Sequence, residues 1–344
     1  MPAATELIVD CDTGIDDSVA LLYLLQHPQA EIVSVLSTAG NVPVDVVATN
    51  NLRWLDLCGR GDIEVCLGAE LPLTNPLRTC EDTHGDHGVG YAELPATSRS
   101  ASDRTAAQAW IELTAERPGE LVGLVLGPLT NLAHAVRQDP DLPRRLRRLV
   151  IMGGSFNHPG NTTPTAEWNI AVDPDAAHEV FTAFGAAGAV SPIVCALGLT
   201  ERIAFQPAHL ARLAARAGSL PVEHLAADDD RGLRSVADNA LVRLLTDALR
   251  FYFEFHHDQH EGYLAHLHDP FAAAVAVDPD IVETVPAVVD VELDGTLTRG
   301  TTVADQRGFW GRPPNALLAI DSDPTAFFDE LINRLAGLAR QLQS

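Results

Sequence analysis

Along the first two-thirds of the chain, short apolar runs alternate with longer stretches whose apolar positions recur every three or four residues. Residues 7–10 are a short apolar run and predict a strand. After a loop, residues 16–26 set Val19, Leu22, Tyr23 and Leu25 at helical spacing. The same pattern predicts a strand over 31–36 and a helix over 44–57. It also predicts strands over 121–126, 149–152 and 189–195, and helices over 131–137 and 173–184. Strand-then-helix alternation implies right-handed βαβ units, and so an α/β fold with a mostly parallel central sheet flanked by helices. The C-terminal half reads as more helical, over 207–217, 232–257 and 269–276. A β-rich stretch at 287–304, a strand at 316–320 and an amphipathic helix at 325–342 complete it. No repeat, low-complexity tract or composition break interrupts the pattern, which predicts a single domain over 1–344.

Open parallel sheets bind ligands beyond the carboxyl ends of their strands. Residues 10–17, 38–41, 126–131 and 153–161 all fall at such ends, so a candidate site exists before any motif is considered.

Composition narrows the chemistry. All 23 basic residues are arginine, and the absence of lysine excludes a Walker P-loop and Schiff-base or pyridoxal-phosphate catalysis. Against 47 acidic residues this leaves a formal charge of −24, which argues against a nucleic-acid partner. Apolar stretches such as 19–25 fall far short of the roughly 20 residues needed to span a membrane. The first ten residues show no basic region and no signal-peptide core. The five cysteines are odd in number and contain no C-x-x-C pair, so they read as reduced thiols of a cytoplasmic protein.

The segment Asp10-Cys11-Asp12-Thr13-Gly14-Ile15-Asp16-Asp17 packs four carboxylates where a strand gives way to a helix. Such crowding is unfavourable unless something cationic sits within it, and the nearest arginine in sequence is Arg53. An all-oxygen donor set points to a hard ion, calcium or magnesium. Two plainer readings stand beside this one. Asp12 or Asp16 is a helix N-cap with solvated neighbours, or the D-x-D-x-T string is the nucleophile loop of a magnesium-dependent phosphatase, with Asp10 as nucleophile and Asp12 as acid/base.

The full run Leu7–Asp17 closely resembles the opening motif of the nucleoside hydrolases. Further segments resemble that family in the same order: Gly40-Asn41, a histidine-glycine loop at 84–90, Leu126-Gly127-Pro128-Leu129-Thr130-Asn131, Gly160-Asn161 through Ala166-Glu167-Trp168-Asn169 to Asp173-Pro174, and His268-Asp269-Pro270. The resemblance implies a calcium-dependent N-ribohydrolase acting on ribonucleosides, in a homodimer or homotetramer. It implies calcium ligands at Asp12, Asp17 and Asp269 and at the backbone carbonyl of Leu126. Asp12 is then the general base for water, and Asp10 an orienting group.

By the same resemblance Asp16, Asn41 and Asn169 bind the 2′ and 3′ hydroxyls, while Asn161 and Glu167 bind the 5′ hydroxyl. His268 resembles the histidine that gives a proton to the departing base in inosine-uridine-preferring members. Tyr252 and His256 belong on the base side of a long helix. Trp168 packs on ribose or stacks on the base, and His84 contacts ribose or shapes its loop.

Read alone, Asp269 also looks like an N-cap, and Asp173 before Pro174 is better read as a cap than as a site residue. Thr13 and Ser18 stand where the family usually has proline and alanine. The acidic segment 217–233 is a solvated loop or a gate at the pocket mouth. A non-catalytic nucleoside or ribose binder is the remaining rival. It would keep Asn161, Glu167 and Asn169 but has no need of Asp12.

Overall fold

Leu7, Ile8 and Val9 have no exposed surface and lie in the middle of a ten-stranded sheet. The computed structural model describes residues 4–186 and 188–343; residues 1–3, which open the segment read above as free of a signal sequence, lie outside them. The strands are β1 (Thr5–Cys11), β2 (Ala30–Ser37), β3 (Glu64–Leu67), β4 (Ser102–Thr105), β5 (Val122–Val125), β6 (Arg148–Met152) and β7 (Ile193–Cys195). A two-stranded ribbon of β8 (Ala204–Phe205) and β9 (Ala265–His266) stands apart. Then β10 (Val282–Val291), β11 (Thr302–Asp305) and β12 (Ala316–Ser322) complete the large sheet. Its order is β11-β10-β12-β7-β6-β5-β1-β2-β3-β4. All neighbouring pairs are parallel except those that β10 makes with β11 and β12.

Helices cover both faces. They are α1 (Ile15–Gln26), α2 (Val44–Leu57), α3 (Glu81–His84), α4 (Ala106–Glu116), α5 (Thr130–Gln138), α6 (Leu142–Arg145) and α7 (Trp168–Val172). The later ones are α8 (Pro174–Phe184), α9 (Leu197–Thr200), α10 (Pro207–Ala217), α11 (Ala240–Asp258), α12 (His268–Val277) and α13 (Pro324–Gln343). Side chains alternate across a strand, and β1 uses both sides. Leu7, Val9 and Cys11 join one core with α1, α11, α12 and α13. Ile8 joins the other, with Trp110 of α4, Leu132 of α5 and Phe181 of α8. Among the described residues no helix is long and apolar enough to cross a membrane.

The chain runs outward from β1 through β2 and β3 to β4, then returns to the other side of β1 as β5. Strand order therefore reverses between β1 and β5, and the crevice beyond their carboxyl ends is where such sheets bind ligands.

Several predicted boundaries move for local reasons. The strand expected from 189 begins at Ile193, after Pro192, which has no N–H for the ladder. The helix expected from 232 begins at Ala240, where Asn239 caps it by accepting from the Val242 N–H at 3.1 Å. The β-rich stretch starts earlier, at Val282, and its two strands are separated by a turn over 292–301. Strands β3 and β4 and helix α4 were not signalled by the apolar pattern.

Candidate active site

The loop after β1 is shaped by its own polar groups. Gly14 precedes α1; its N–H donates to Asp17 Oδ2 at 2.7 Å, and its carbonyl accepts from Ser18 Oγ at 2.6 Å. Asp12 and Asp16 are therefore not caps. Asp12 instead occupies a slot between two other strand ends. A Cβ on Gly40 would stand 2.1 Å from Asp12 Oδ2, and one on Gly127 2.7 Å from Oδ1, so only glycine lets the carboxylate sit there. The Asn41 N–H donates to Asp12 Oδ2 at 2.8 Å. Behind the loop, Asp10 accepts from Trp110 Nε1 and from Asn131 Nδ2, both at 2.8 Å. Burial outweighs these two bonds and pushes the Asp10 carboxyl up to about 7.

Asp16 and Asp17 from α1 meet Asp269 from α12, one carboxylate oxygen of each lying within 4.8 Å of the other two. Asp269 lies inside the first turn of α12, whose cap position is Leu267, so the N-cap reading of Asp269 does not hold. With Asp12, these carboxyls are at most 4% exposed. Burial first, then mutual repulsion, raises Asp12, Asp16 and Asp269; burial raises Asp17. Among the described residues no arginine pairs with any of them, and the buried Asp17 Oδ1 has no hydrogen-bond partner. The Leu126 carbonyl, at the end of β5, borders the same cavity and accepts from Asn169 Nδ2 at 2.7 Å. Buried oxygens in excess of available protons and cations suit a hard divalent metal ion.

A cavity of about 380 Å³ opens over this floor, within the size range of small-molecule sites. Of the predicted residues, Asp12, Asp16, Asn41, His84, Leu126, Asn161, Glu167, Trp168, Asn169, Tyr252, His256, His268 and Asp269 all line it. Asp17 does not, being wholly buried. Glu167 caps α7, accepting from the N–H groups of Gly154, Asn169 and Ile170 at 2.9, 2.8 and 3.1 Å, and burial still raises its carboxyl. Asn161 is exposed at the mouth and accepts from the Trp168 N–H at 2.9 Å. Asp173 caps α8 through the Ala176 N–H and stays outside the cavity. Segment 217–233 contributes nothing to the lining, and its Asp229 is tied to Arg250 at 2.9 Å.

The profile described as inosine-uridine preferring nucleoside hydrolase matches residues 7–329. The chain belongs to the nucleoside hydrolase family. It is 33% identical over 337 residues to the pyrimidine-specific ribonucleoside hydrolase RihA of Citrobacter koseri, covering 98% of this chain and 99% of that protein. The purine-preferring ribonucleoside hydrolase from Gardnerella vaginalis superposes with a TM-score of 0.86 at 28% identity, over 98% of this chain and all of the other. A structure of an inosine-guanosine nucleoside hydrolase gives 0.82 at 26% identity, covering 97% and 99%. Hydrolases of this family cleave the N-glycosidic bond of ribonucleosides, and this chain is one of them.

The two departures from the nucleoside hydrolase motif are both compensated. Thr13 Oγ1 donates to Asn51 Oδ1 at 2.5 Å, and Ser18 Oγ accepts from Trp54 Nε1 at 2.9 Å. Several imidazoles line the cavity beside this floor. His268 Nδ1 pairs with Thr200 Oγ1 at 2.8 Å, and burial holds this ring well below the usual histidine range. His84 Nδ1 accepts from the Ile15 N–H at 3.1 Å, and burial lowers it to about 3. His266, lowered to about 4 by burial and by His256, and Glu261 also line the cavity; His266 belongs to the histidine-rich run that predicts a histidine-lined base pocket, whereas the sequence pattern did not single out Glu261. Glu261 had a weak signal: it follows a helix rich in histidine by three residues.

Proposed function

We propose that this nucleoside hydrolase is calcium-dependent and converts a ribonucleoside and water into ribose and free base. The observation that carries the metal reading is the buried Asp12–Asp16–Asp17–Asp269 group with an unpartnered Asp17 Oδ1. Asp12, Asp17, Asp269 and the Leu126 carbonyl would hold the ion. When bound, calcium supplies a Lewis acid that orients the sugar hydroxyls and lowers the pKa of water. Asp12, held in its glycine slot, takes the proton of the attacking water as general base. The bond from C1′ to the base nitrogen lengthens first, so positive charge develops on the ring, and the carboxylates of the floor stabilise it.

Asp16, Asn41 and Asn169 bind the vicinal hydroxyls of ribose, and Glu167 and Asn161 the 5′ hydroxyl. His84 and Trp168 close around the sugar, while Tyr252, His256 and His268 face the base. Assembly as a homodimer or homotetramer in the cytoplasm goes with this reading. Exposed apolar side chains near the β11 edge (Val303, Phe309 and Trp310) and five unpaired cysteines support it.

The test is release of reducing sugar from uridine, cytidine, inosine and adenosine, by wild type and Asp12→Ala, with calcium and after chelation. Turnover that collapses in the variant and on chelation, and returns with calcium, is expected. Turnover untouched by chelation would overturn the metal assignment. Full activity in Asp12→Ala would overturn the general base.

A further inference from the structure

The segment Cys80-Glu81-Asp82-Thr83-His84 is a single helical turn, so its first and last side chains project from the same face. Cys80 holds the cap position of α3, where its carbonyl accepts from the N–H groups of Thr83 and His84, both at 3.0 Å. That face is turned on the loops that carry the acidic floor. At one end His84 meets the Ile15 N–H. At the other, Cys80 clasps Asn41 twice. Its N–H donates to the Asn41 carbonyl at 3.0 Å, and its thiol donates to Asn41 Oδ1 at 3.1 Å.

Asn41 is thereby held from both its backbone and its side chain. Its own N–H donates to Asp12 Oδ2 at 2.8 Å, and its Nδ2 donates to Asp17 Oδ2 at 3.3 Å. Gly14 closes a third side, since a Cβ there would stand 2.7 Å from Asn41 Nδ2. The two ends of an asparagine amide are nearly the same shape, so its partners decide which way it faces. Here the oxygen is committed to the thiol and one N–H to Asp17. The reverse orientation would set the amide oxygen against the Asp17 carboxylate, a buried pair of acceptors with no proton between them. What Asn41 presents to the cavity it lines is therefore its second N–H.

We infer that Cys80 is a positioning residue for ribose: its thiol sets the Asn41 amide so that an N–H, and not the oxygen, meets the vicinal hydroxyls. The inference rests on the ribose role given to Asn41 above. The hydroxyl in contact accepts from Asn41 and keeps its own proton to give to a carboxylate of the floor, for which Asp16 lines the same cavity. A buried cysteine otherwise packs as a small apolar group. On that plainer reading only volume matters at position 80; on the positioning reading the proton donor matters.

The experiment is a double-mutant cycle on kcat/KM with Cys80→Ala, Asn41→Ala and the two combined, beside Cys80→Ser, each at two calcium concentrations. Cys80→Ala should lose about five- to tenfold, the range one hydrogen bond supports. The factor should be the same for every nucleoside the wild type accepts, because the sugar is what they share. Cys80→Ser keeps a donor and should recover most of the loss. With Asn41→Ala already in place, Cys80→Ala should cost nothing further. Thermal melting establishes that the variants fold. Wild-type kcat/KM in Cys80→Ala, a loss undiminished in Cys80→Ser, or a loss repeated in full without Asn41 would overturn the positioning role. So would a loss confined to one base, or one that more calcium reverses, since the thiol would then act on the base or through Asp17 on the ion. Full activity in Asn41→Ala would overturn the ribose role of Asn41 and this inference with it. A wild type that hydrolyses no nucleoside would overturn the ribohydrolase reading itself.

Discussion

Asp12 illustrates how much of an active site is made by what is absent around a side chain. Its carboxylate fits because residues 40 and 127 carry no Cβ, and the backbone of Asn41 then fixes one of its oxygens. Gly40→Ala places a methyl group where Asp12 Oδ2 now stands. A displacement of about 1 Å can cost on the order of 10²-fold in rate, and we expect a loss of that size in kcat. Overpacking of this kind typically costs about 1–3 kcal/mol, so the variant should still fold at room temperature. Steady-state kinetics beside a melting curve separates the two effects; wild-type kcat in Gly40→Ala would mean that Asp12 tolerates another position.

Among the elements, helix α4 shows what the sequence pattern carries and what it loses. Its apolar positions are diluted by alanine and threonine, so periodicity alone passes over it. Yet Thr105-Ala106-Ala107-Gln108 is a capping box, and the Thr105 hydroxyl accepts from the Gln108 N–H at 3.3 Å. Thr105→Ala should lower stability by about 1 kcal/mol in denaturant unfolding, whereas an unchanged midpoint would show the cap to be idle. The loss matters to the site because α4 carries Trp110, which bonds Asp10.

The strand ends of the candidate site were legible because strands feeding polar clusters mark the carboxyl edge of a parallel sheet. Strands β3 and β4 were not, since each has four residues that include charged or hydroxylated side chains and so carries too little apolar periodicity. Glu261 escaped for a different reason: its position depends on a helix-terminal turn centred on a histidine with positive φ, which no local rule assigns to histidine. The acidic loop was legible as a loop but not in its attachment. Asp229 is held below the usual carboxylate range by the Arg250 guanidinium, which is itself only 2% exposed. With the folded value depressed, the stabilisation is present above the usual carboxylate range and is lost as pH falls through the folded value. Wild type should therefore melt above Asp229→Asn near neutrality, and the gap should narrow progressively as pH falls below about 4. A gap that does not narrow at all as pH falls through the acid range would place the stabilisation elsewhere than in the charge.

Taken whole, the molecule carries a formal charge of −24 and gathers four of its carboxyls in one buried place. A cation that binds only the folded chain shifts unfolding by mass action. Chelation should therefore lower the melting temperature, and added calcium should raise it in a concentration-dependent way. A melting curve indifferent to both would leave the acidic cluster without a resident ion.

The two sides of the cavity are anchored differently. The floor gathers at the end of β1 and on α1 and α12, with Asp10 behind it bonded to residues of both α4 and α5. The opposite wall comes from the end of α11 and from the small β8–β9 ribbon, a separate sheet. The cavity is thus divided into a fixed half and an exchangeable half. On the proposed assignment, the sugar, common to all nucleosides, meets the half anchored at the strand ends of the main sheet. On the same assignment, what distinguishes one nucleoside from another meets a short stretch, residues 252–268, that contains no strand of the main sheet. Base preference in this scaffold becomes a modular property, open to transplantation as a single cassette.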